Sequence, residues 1–354
     1  MRLFGKHDLT FHAAGSSVCA LLSLAVFALF LASCATPAPL FPLKRYEFTE
    51  PQMGVPFRLV FYALNDQVAE SAADAVYKRI AQLNQIFSDY ETDSELNQLS
   101  FGSDTNAAPR KVSPELWDIL QRSQRLAQKS GGAFDVTLGP VVHLWRNARR
   151  EQAFPRADYL KDTLSRVGYQ NLRLDPESKT VHLSRPRMRL DLGGIAKGYA
   201  VDEALRVLRT HGITRALVAA SGDIGVGAPP PGATGWSIQL SEFDTNAPPL
   251  HVTLAERAVT TSGDLNQRLV LNGVHYSHIV DPRTGIGLTN RVLVTTIAKD
   301  CTTADSLATA LSVLGPERGL ELLKEYDDTE ARFVRIIGSE TEVTESKNFR
   351  THLQ

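Results

Sequence analysis

Apolar residues recur at helical spacing in several long stretches of the chain and alternate along many short ones. Ala69, Ala72, Ala73, Val76, Ile80, Leu83 and Phe87 mark one side of a helix over 66–87 and leave Lys78, Arg79 and Gln82 to solvent. A second helix is predicted over 114–129, with Ser113 as N-cap and Gly131-Gly132 as the stop. A short amphipathic one covers 158–167. After Lys197, the run Val201, Ala204, Leu205, Val207 and Leu208 predicts a helix that stops at His211-Gly212. The last helix opens at Thr302 and ends near Gly315. Strands are predicted at 57–62, 171–174, 180–183, 189–192, 215–219 and 236–240, and then near 251–254, 258–261, 268–272 and 292–298. The pattern is that of an α+β fold, with mixed or antiparallel sheets and packed helices, from residue 45 to residue 354. Residues 87–97 carry more polar groups than a simple connector requires.

The start of the chain reads differently. Arg2 and Lys6 precede an uncharged, largely apolar run over 18–31, which is 14 residues long. A membrane-spanning helix needs ~20, so the run fits the core of a signal peptide. It ends in Leu31-Ala32-Ser33-Cys34, which resembles the lipobox of bacterial lipoproteins. That resemblance implies a signal peptide over 1–33, lipidation of Cys34, a proline-rich tether over 34–44, and a periplasm-facing protein anchored in the inner or the outer membrane. A plain secretory signal is the alternative. With Cys19 in the signal and Cys34 at the anchor, Cys301 is left without a partner for an intramolecular disulfide.

Composition adds mainly exclusions. With 43% hydrophobic and 22% charged residues, 354 residues supply ample core and rule out a disordered chain. A formal charge of -1, from 38 basic against 39 acidic residues, gives no suggestion of a polyanion-binding surface, so nucleic acid is not an expected partner.

Candidate chemistry gathers in a few segments. Over 188–202, MRLDLGGIAKGYAVD places an alternating strand, a Gly193-Gly194 turn and Lys197 at a fresh helix N-terminus. Free N–H groups, a positive helix end and a cation suit a phosphate, although the same connection also serves plain αβ architecture. Ala133-Phe134-Asp135-Val136-Thr137 puts an acid and a hydroxyl at a helix exit, where a capped turn explains them equally well. Tyr276-Ser277-His278-Ile279-Val280-Asp281-Pro282-Arg283-Thr284-Gly285 is dense in reactive groups, yet Asp281 to Gly285 alone is an ordinary turn and His278 alone an ordinary structural histidine. Asp305 and Thr309, four apart, point from one helical face. Complementing the helix dipole would account for Asp305 on its own.

Taken together, MRLDLGGIAKGYAVD, GGAFDVTLGPVVHLW, VTTSGDLNQ, YSHIVDPRTG and TTADSLATALSVLG resemble the motifs of the ApbE family of flavin transferases, over roughly 53–315. The resemblance implies an ApbE-like, T-fold-related architecture and a Mg²⁺-dependent enzyme. Such an enzyme cleaves FAD, joins FMN to a threonine or serine hydroxyl of an acceptor protein and releases AMP. It further implies Asp305, Thr309 and the Gly194 carbonyl as Mg²⁺ ligands, with Thr302 as an added oxygen. Lys197 would neutralise the pyrophosphate, Asp191 would bond the flavin nucleotide, and Met53, Tyr90, Ala133, Phe134, Asp135 and Ile279 would line the FAD pocket. His278 would assist proton transfer. Acceptors implied are flavoproteins such as subunits of the Na⁺-translocating NADH:quinone reductase or the Rnf complex. Two departures stand out: Ser221-Gly222-Asp223 replaces the family's frequent Gly-Gly-Asp, and Leu265 follows Asp264 where an aromatic is frequent. Asp223 and Asp264 therefore stay outside the expected site. An FAD pyrophosphatase would use the same ligands with water as acceptor, and a non-catalytic flavin-binding lipoprotein would need none of the reactive groups.

Overall fold

Eight strands, each paired antiparallel with the next of the set, form the central sheet: β1 (Lys44–Gln52), β2 (Val55–Ala63), β3 (Ala216–Ala220), β4 (Asp223–Val226), β5 (Arg257–Gly263), β6 (Arg291–Ala298), β7 (Glu330–Ile337) and β8 (Glu340–Glu345). The computed structural model describes residues 42–101, 108–244, 248–263, 265 and 268–354, and Lys44–Gln354 make up one compact unit. The expected signal peptide, Cys34 and Asp264 lie outside the described residues. No helix among the described residues is long and apolar enough to cross a membrane.

Alternation along the strands decides which face meets which layer. Phe57, Leu59 and Phe61 of β2 face the large core, which they share with α1 (Asp66–Phe87), α6 (Ala196–Thr210) and α7 (Cys301–Leu323). Val60, from the same strand, faces the other way. It joins Val226, Val259 and Ile297 in packing on a two-stranded sheet, Trp236–Gln239 and His251–Leu254. Asn65 caps α1 by accepting the Val68 N–H at 2.9 Å, and the buried alanines of α1 let it approach closely.

Short helices flank this body: α2 (Glu95–Phe101), α3 (Pro114–Lys129), α4 (Gly139–Glu151) and α5 (Ala157–Leu164). The α+β fold and its antiparallel pairing agree with the expectation from pattern; several elements do not. Residues 189–192 form no strand. They run extended, with a single parallel bridge from Arg189 to Leu138 and a bond from the Asp191 N–H to the Val136 carbonyl at 2.8 Å. α5 stops at Leu164 rather than 167. α2, α4, β1, β4, β7 and β8 are additions to the predicted elements. The expected end near Gly315 is a kink, where that residue takes φ 73° before Pro316 and the helix resumes.

Candidate functional site

The Gly193-Gly194 turn delivers the chain into α6, whose N-cap position, Ile195, supplies no side-chain bond. Its first-turn N–H groups need acceptors from elsewhere. Asp305, on α7, provides one: its Oδ2 accepts the Gly198 N–H at 3.0 Å. The two helices touch backbone to backbone here, since a Cβ on Gly198 would lie 2.3 Å from the Cys301 carbonyl oxygen and 2.8 Å from the Asp305 Cβ. One turn along α7, Thr309 faces the glycine turn. A Cβ on Gly194 would fall 3.0 Å from the Thr309 Oγ1 and 3.3 Å from Phe134. Gly194, Thr309 and Phe134 thus meet at the turn, with Asp305 one turn back along α7 against Gly198.

Lys197 lies in the first turn of α6 and donates from Nζ to Asp223 Oδ2 of β4. Burial would lower the lysine's pKa, but Asp305 and Asp223 outweigh it and hold the ammonium above its ordinary value. Asp305 is 2% exposed. Burial and the Asp223 carboxylate, against the pull of Lys197, push its carboxyl well above the usual range. Two carboxylates share one lysine, an arrangement short of positive charge. Carboxylate, hydroxyl and a backbone carbonyl are hard oxygen donors, so the set fits a small divalent cation such as Mg²⁺. Among the described residues no cluster of three or more His, Cys, Asp and Glu competes as a metal centre.

Asp202, also on α6, clamps the same pair of helices. It accepts the N–H groups of Cys301 and Thr302, each at 2.8 Å, together with the Thr302 hydroxyl. Burial, and then Asp300, raise its pKa to about 6. The hydroxyl proton of Thr302 is thereby spent on Asp202. Asp300 caps α7 through the Thr303 N–H at 2.9 Å. Cys301 is a free, buried cysteine.

A second group of expected residues surrounds Arg146 of α4. Its guanidinium pairs with Asp89, meets Asp191 Oδ2 at 3.0 Å and lies 4.3 Å above the Tyr90 ring centroid. Asp191 also accepts the Gly193 N–H at 2.7 Å, which joins this cluster to the glycine turn. Burial and Asp89, opposed by Arg146, raise the Asp191 carboxyl to about 6. Tyr90 is 73% exposed, so most of its surface is open to solvent.

Asp135 serves as an internal brace. Its carboxylate accepts the Thr137 N–H at 2.8 Å, the Thr137 hydroxyl at 2.6 Å and the Tyr169 N–H at 2.8 Å, the capped turn that local sequence suggests. Ala133 packs with Ile279 and Val313, which brings the segment holding His278 up to the 133–135 loop and α7. His278 itself stands between the short strands Val274–Ser277 and Val280–Asp281 and is half-buried. Met53 lies in the two-residue turn from β1 to β2. There it and Gly54 both take positive φ, 50° and 76°, and its side chain packs on the large core.

The motifs single out none of Asp89, Arg146 and Asp202, and Asp223, set aside because Ser221-Gly222 precedes it where the family often has Gly-Gly, is brought to Lys197 by the fold. Asp202 closes the MRLDLGGIAKGYAVD segment one turn beyond Gly198, where a carboxylate facing a neighbouring helix is legible from spacing. Arg146 has no local signal without α4.

An antiparallel sheet backed by helices, with a lysine, carboxylates and a hydroxyl gathered at a glycine turn, defines an α+β protein with a polar site at the contact of two helices. The chain belongs to the ApbE family, whose model matches residues 53–333. It is 32% identical over 299 residues to a protein of Vibrio cholerae named FAD:protein FMN transferase, covering 82% of this chain and 86% of the other. A protein of Treponema pallidum with the same name is 31% identical, covering 82% and 85%. Among solved structures, the flavin transferase ApbE of Vibrio cholerae superposes with a TM-score of 0.80 at 28% identity, covering 88% of this chain and all of that one. The apo flavinyl transferase ApbE of Pseudomonas stutzeri gives 0.78 at 28% identity, covering 89% and 98%.

Proposed function

We propose that this protein is a Mg²⁺-dependent FAD:protein FMN transferase that moves the FMN moiety of FAD onto a threonine or serine hydroxyl of an acceptor protein. The observation that carries the reading is the convergence of Gly194, Lys197, Asp305 and Thr309 at the α6–α7 contact in a chain of this family. In the reaction the acceptor oxygen attacks the FMN phosphorus, the bond from that phosphorus to the bridging oxygen breaks, and AMP leaves with that oxygen. Asp305, Thr309 and the Gly194 carbonyl would hold Mg²⁺, which when bound supplies positive charge to the pyrophosphate oxygens. Lys197, kept as ammonium by its two carboxylates, adds charge where the leaving phosphate accumulates it. His278 takes the proton of the attacking hydroxyl. Tyr90 offers a flat surface to a ring system, and Asp191 a carboxylate to the flavin nucleotide.

The acceptor is a flavoprotein of the kind represented by subunits of the Na⁺-translocating NADH:quinone reductase or the Rnf complex. The lipobox-like Leu31-Ala32-Ser33-Cys34 of this chain supports a periplasm-facing enzyme held to a membrane through Cys34.

Incubation with FAD, Mg²⁺ and a candidate acceptor, followed by denaturing electrophoresis, tests the reading. Flavin fluorescence that stays with the acceptor is expected. Release of free FMN alone would overturn transfer in favour of hydrolysis. Asp305→Ala should reduce turnover by about a hundredfold or more and abolish the response to Mg²⁺. Full activity with an unchanged Mg²⁺ response would place the metal elsewhere.

A further inference from the structure

Charge is spread unevenly along this nearly neutral chain. Between residues 143 and 189 it carries eleven Lys and Arg against five Asp and Glu. The fold gathers three of these arginines at a cavity of about 400 Å³ bordered by α4, α5 and the segment entering the glycine turn. Arg166, Arg187 and Arg189 line it together with His143, and Phe101, Pro140 and Met188 add apolar surface. Asp162 is the carboxylate that answers this charge: it pairs with Arg166, and its other oxygen meets Arg187 at 3.4 Å. Arg189 has no carboxylate partner among the described residues and lies 4.8 Å above the Phe101 ring centroid. The Nε of Arg166 is buried without a hydrogen-bond acceptor.

The guanidinium groups are close enough to feel one another. Burial, and then Arg187 and Arg189, lower the pKa of Arg166; burial, Arg189 and Arg146 do the same to His143. Positive charge facing a cavity, in excess of its counter-charge and beside exposed aromatic surface, is stabilised by an anion that also has an apolar body. The volume falls in the range of small-molecule sites and exceeds what a bare phosphate would fill. None of the cavity-lining residues belongs to the metal and pyrophosphate set described above.

We propose that this cleft is a second ligand site, separate from the FAD site, which takes a small organic anion: a phosphate ester or carboxylate attached to a flat apolar group. The anion bridges Arg187 and Arg189 beside the Arg166 side chain. Its apolar part lies on Phe101, Pro140 and Met188.

Isothermal titration of the full-length protein with phenyl phosphate, benzoate and inorganic phosphate tests this. Phenyl phosphate or benzoate should bind, and the stronger of the two tells whether phosphate esters or carboxylates are preferred. Arg187→Ala and Arg189→Ala, at positions that are at least partly exposed, should each weaken binding about tenfold. Asp162→Asn should tighten it, because two arginines lose their competing carboxylate. Saturation with FAD, and Lys197→Ala, should leave it unchanged, whether or not the proposed transfer reaction proves correct. Failure of both aromatic anions to bind, competition by FAD, indifference to the arginine substitutions, or equally tight binding of inorganic phosphate would each overturn the proposal.

Discussion

Two residues show how little freedom the α6–α7 contact leaves. Gly198 is a helical glycine, ordinarily a weak choice by ~1 kcal/mol against alanine. Here the sign reverses, because the added methyl would collide with the Cys301 carbonyl and the Asp305 Cβ, both belonging to a packed helix. Gly198→Ala should cost about 3 kcal/mol in denaturant unfolding. A neutral or stabilising result would mean that the two helices are not in contact as described. Asp191 supports a prediction of another kind. Its folded pKa of about 6 exceeds the ordinary value of about 4, so the folded protein binds the proton more tightly than the unfolded chain does. The stability this group contributes is therefore present at low pH and declines as pH rises through the window from about 4 to about 6. Removing the titration with Asp191→Asn should lift melting temperature relative to the parent protein progressively across that window. Parallel profiles of melting temperature against pH would refute it. The cause is burial beside Asp89, which Arg146 offsets only in part.

At the scale of elements, α4 connects the proposed reaction site to the rest of the fold. Trp145 donates from Nε1 to the Gly285 carbonyl at 2.8 Å and packs 5.4 Å from the Tyr276 ring, which ties down both ends of the segment containing His278. Its neighbour Arg146 reaches Asp89, Tyr90 and Asp191. Trp145→Phe keeps an aromatic ring but leaves the Gly285 carbonyl unpaired, at a cost of about 1–3 kcal/mol. Unfolding experiments should show that loss, and the transferase assay should show a fall in kcat larger than any change in KM for FAD; an unaltered kcat would separate α4 from His278. This helix also marks where sequence reading stops. Pro140 at its start and Val141, Trp145 and Ala148 at helical spacing are a legible signal, but the preceding Asp135-Thr137 turn draws attention to itself and hides the helix behind it. The convergence of Gly194, Lys197, Asp305 and Thr309 is foreshadowed because each motif is local and ordered. Arg146 escapes because its partners Asp89 and Asp191 are distant in sequence and only packing joins them, and Asp223 is set aside on its altered motif although packing brings it to Lys197. β7 escapes for a related reason. Phe333 packs into the helix-side core while Arg332 is held by Glu242 and Glu345, so a charged residue occupies a buried position and alternation is masked.

For the molecule as a whole, the sheet begins at its own edge. β1 is paired on one side only and covers β2, placing Phe48 stacked at 5.7 Å and Tyr46 at 6.3 Å from Phe61. The Tyr46 hydroxyl donates to Asp66 at 2.6 Å in the first turn of α1, so the strand fastens the helix layer as well. Everything before Lys44 falls outside the compact unit. A chain starting at Lys44 should therefore fold, melt within about 2 °C of the full-length protein and keep whatever transferase activity a soluble acceptor reports. A chain starting at Val55 should behave otherwise. Without β1, the backbone N–H and C=O groups of β2 are left without partners along one edge and the Phe61 ring loses its cover. Such an edge, apolar on both faces through Phe57, Leu59, Val60 and Phe61, invites pairing between molecules. The shorter chain should aggregate or melt at least about 10 °C lower, as judged by light scattering and thermal unfolding. If both truncated chains melt together with the parent, β1 is dispensable and the fold closes at β2; if the longer one also fails, residues before Lys44 take part in holding the domain.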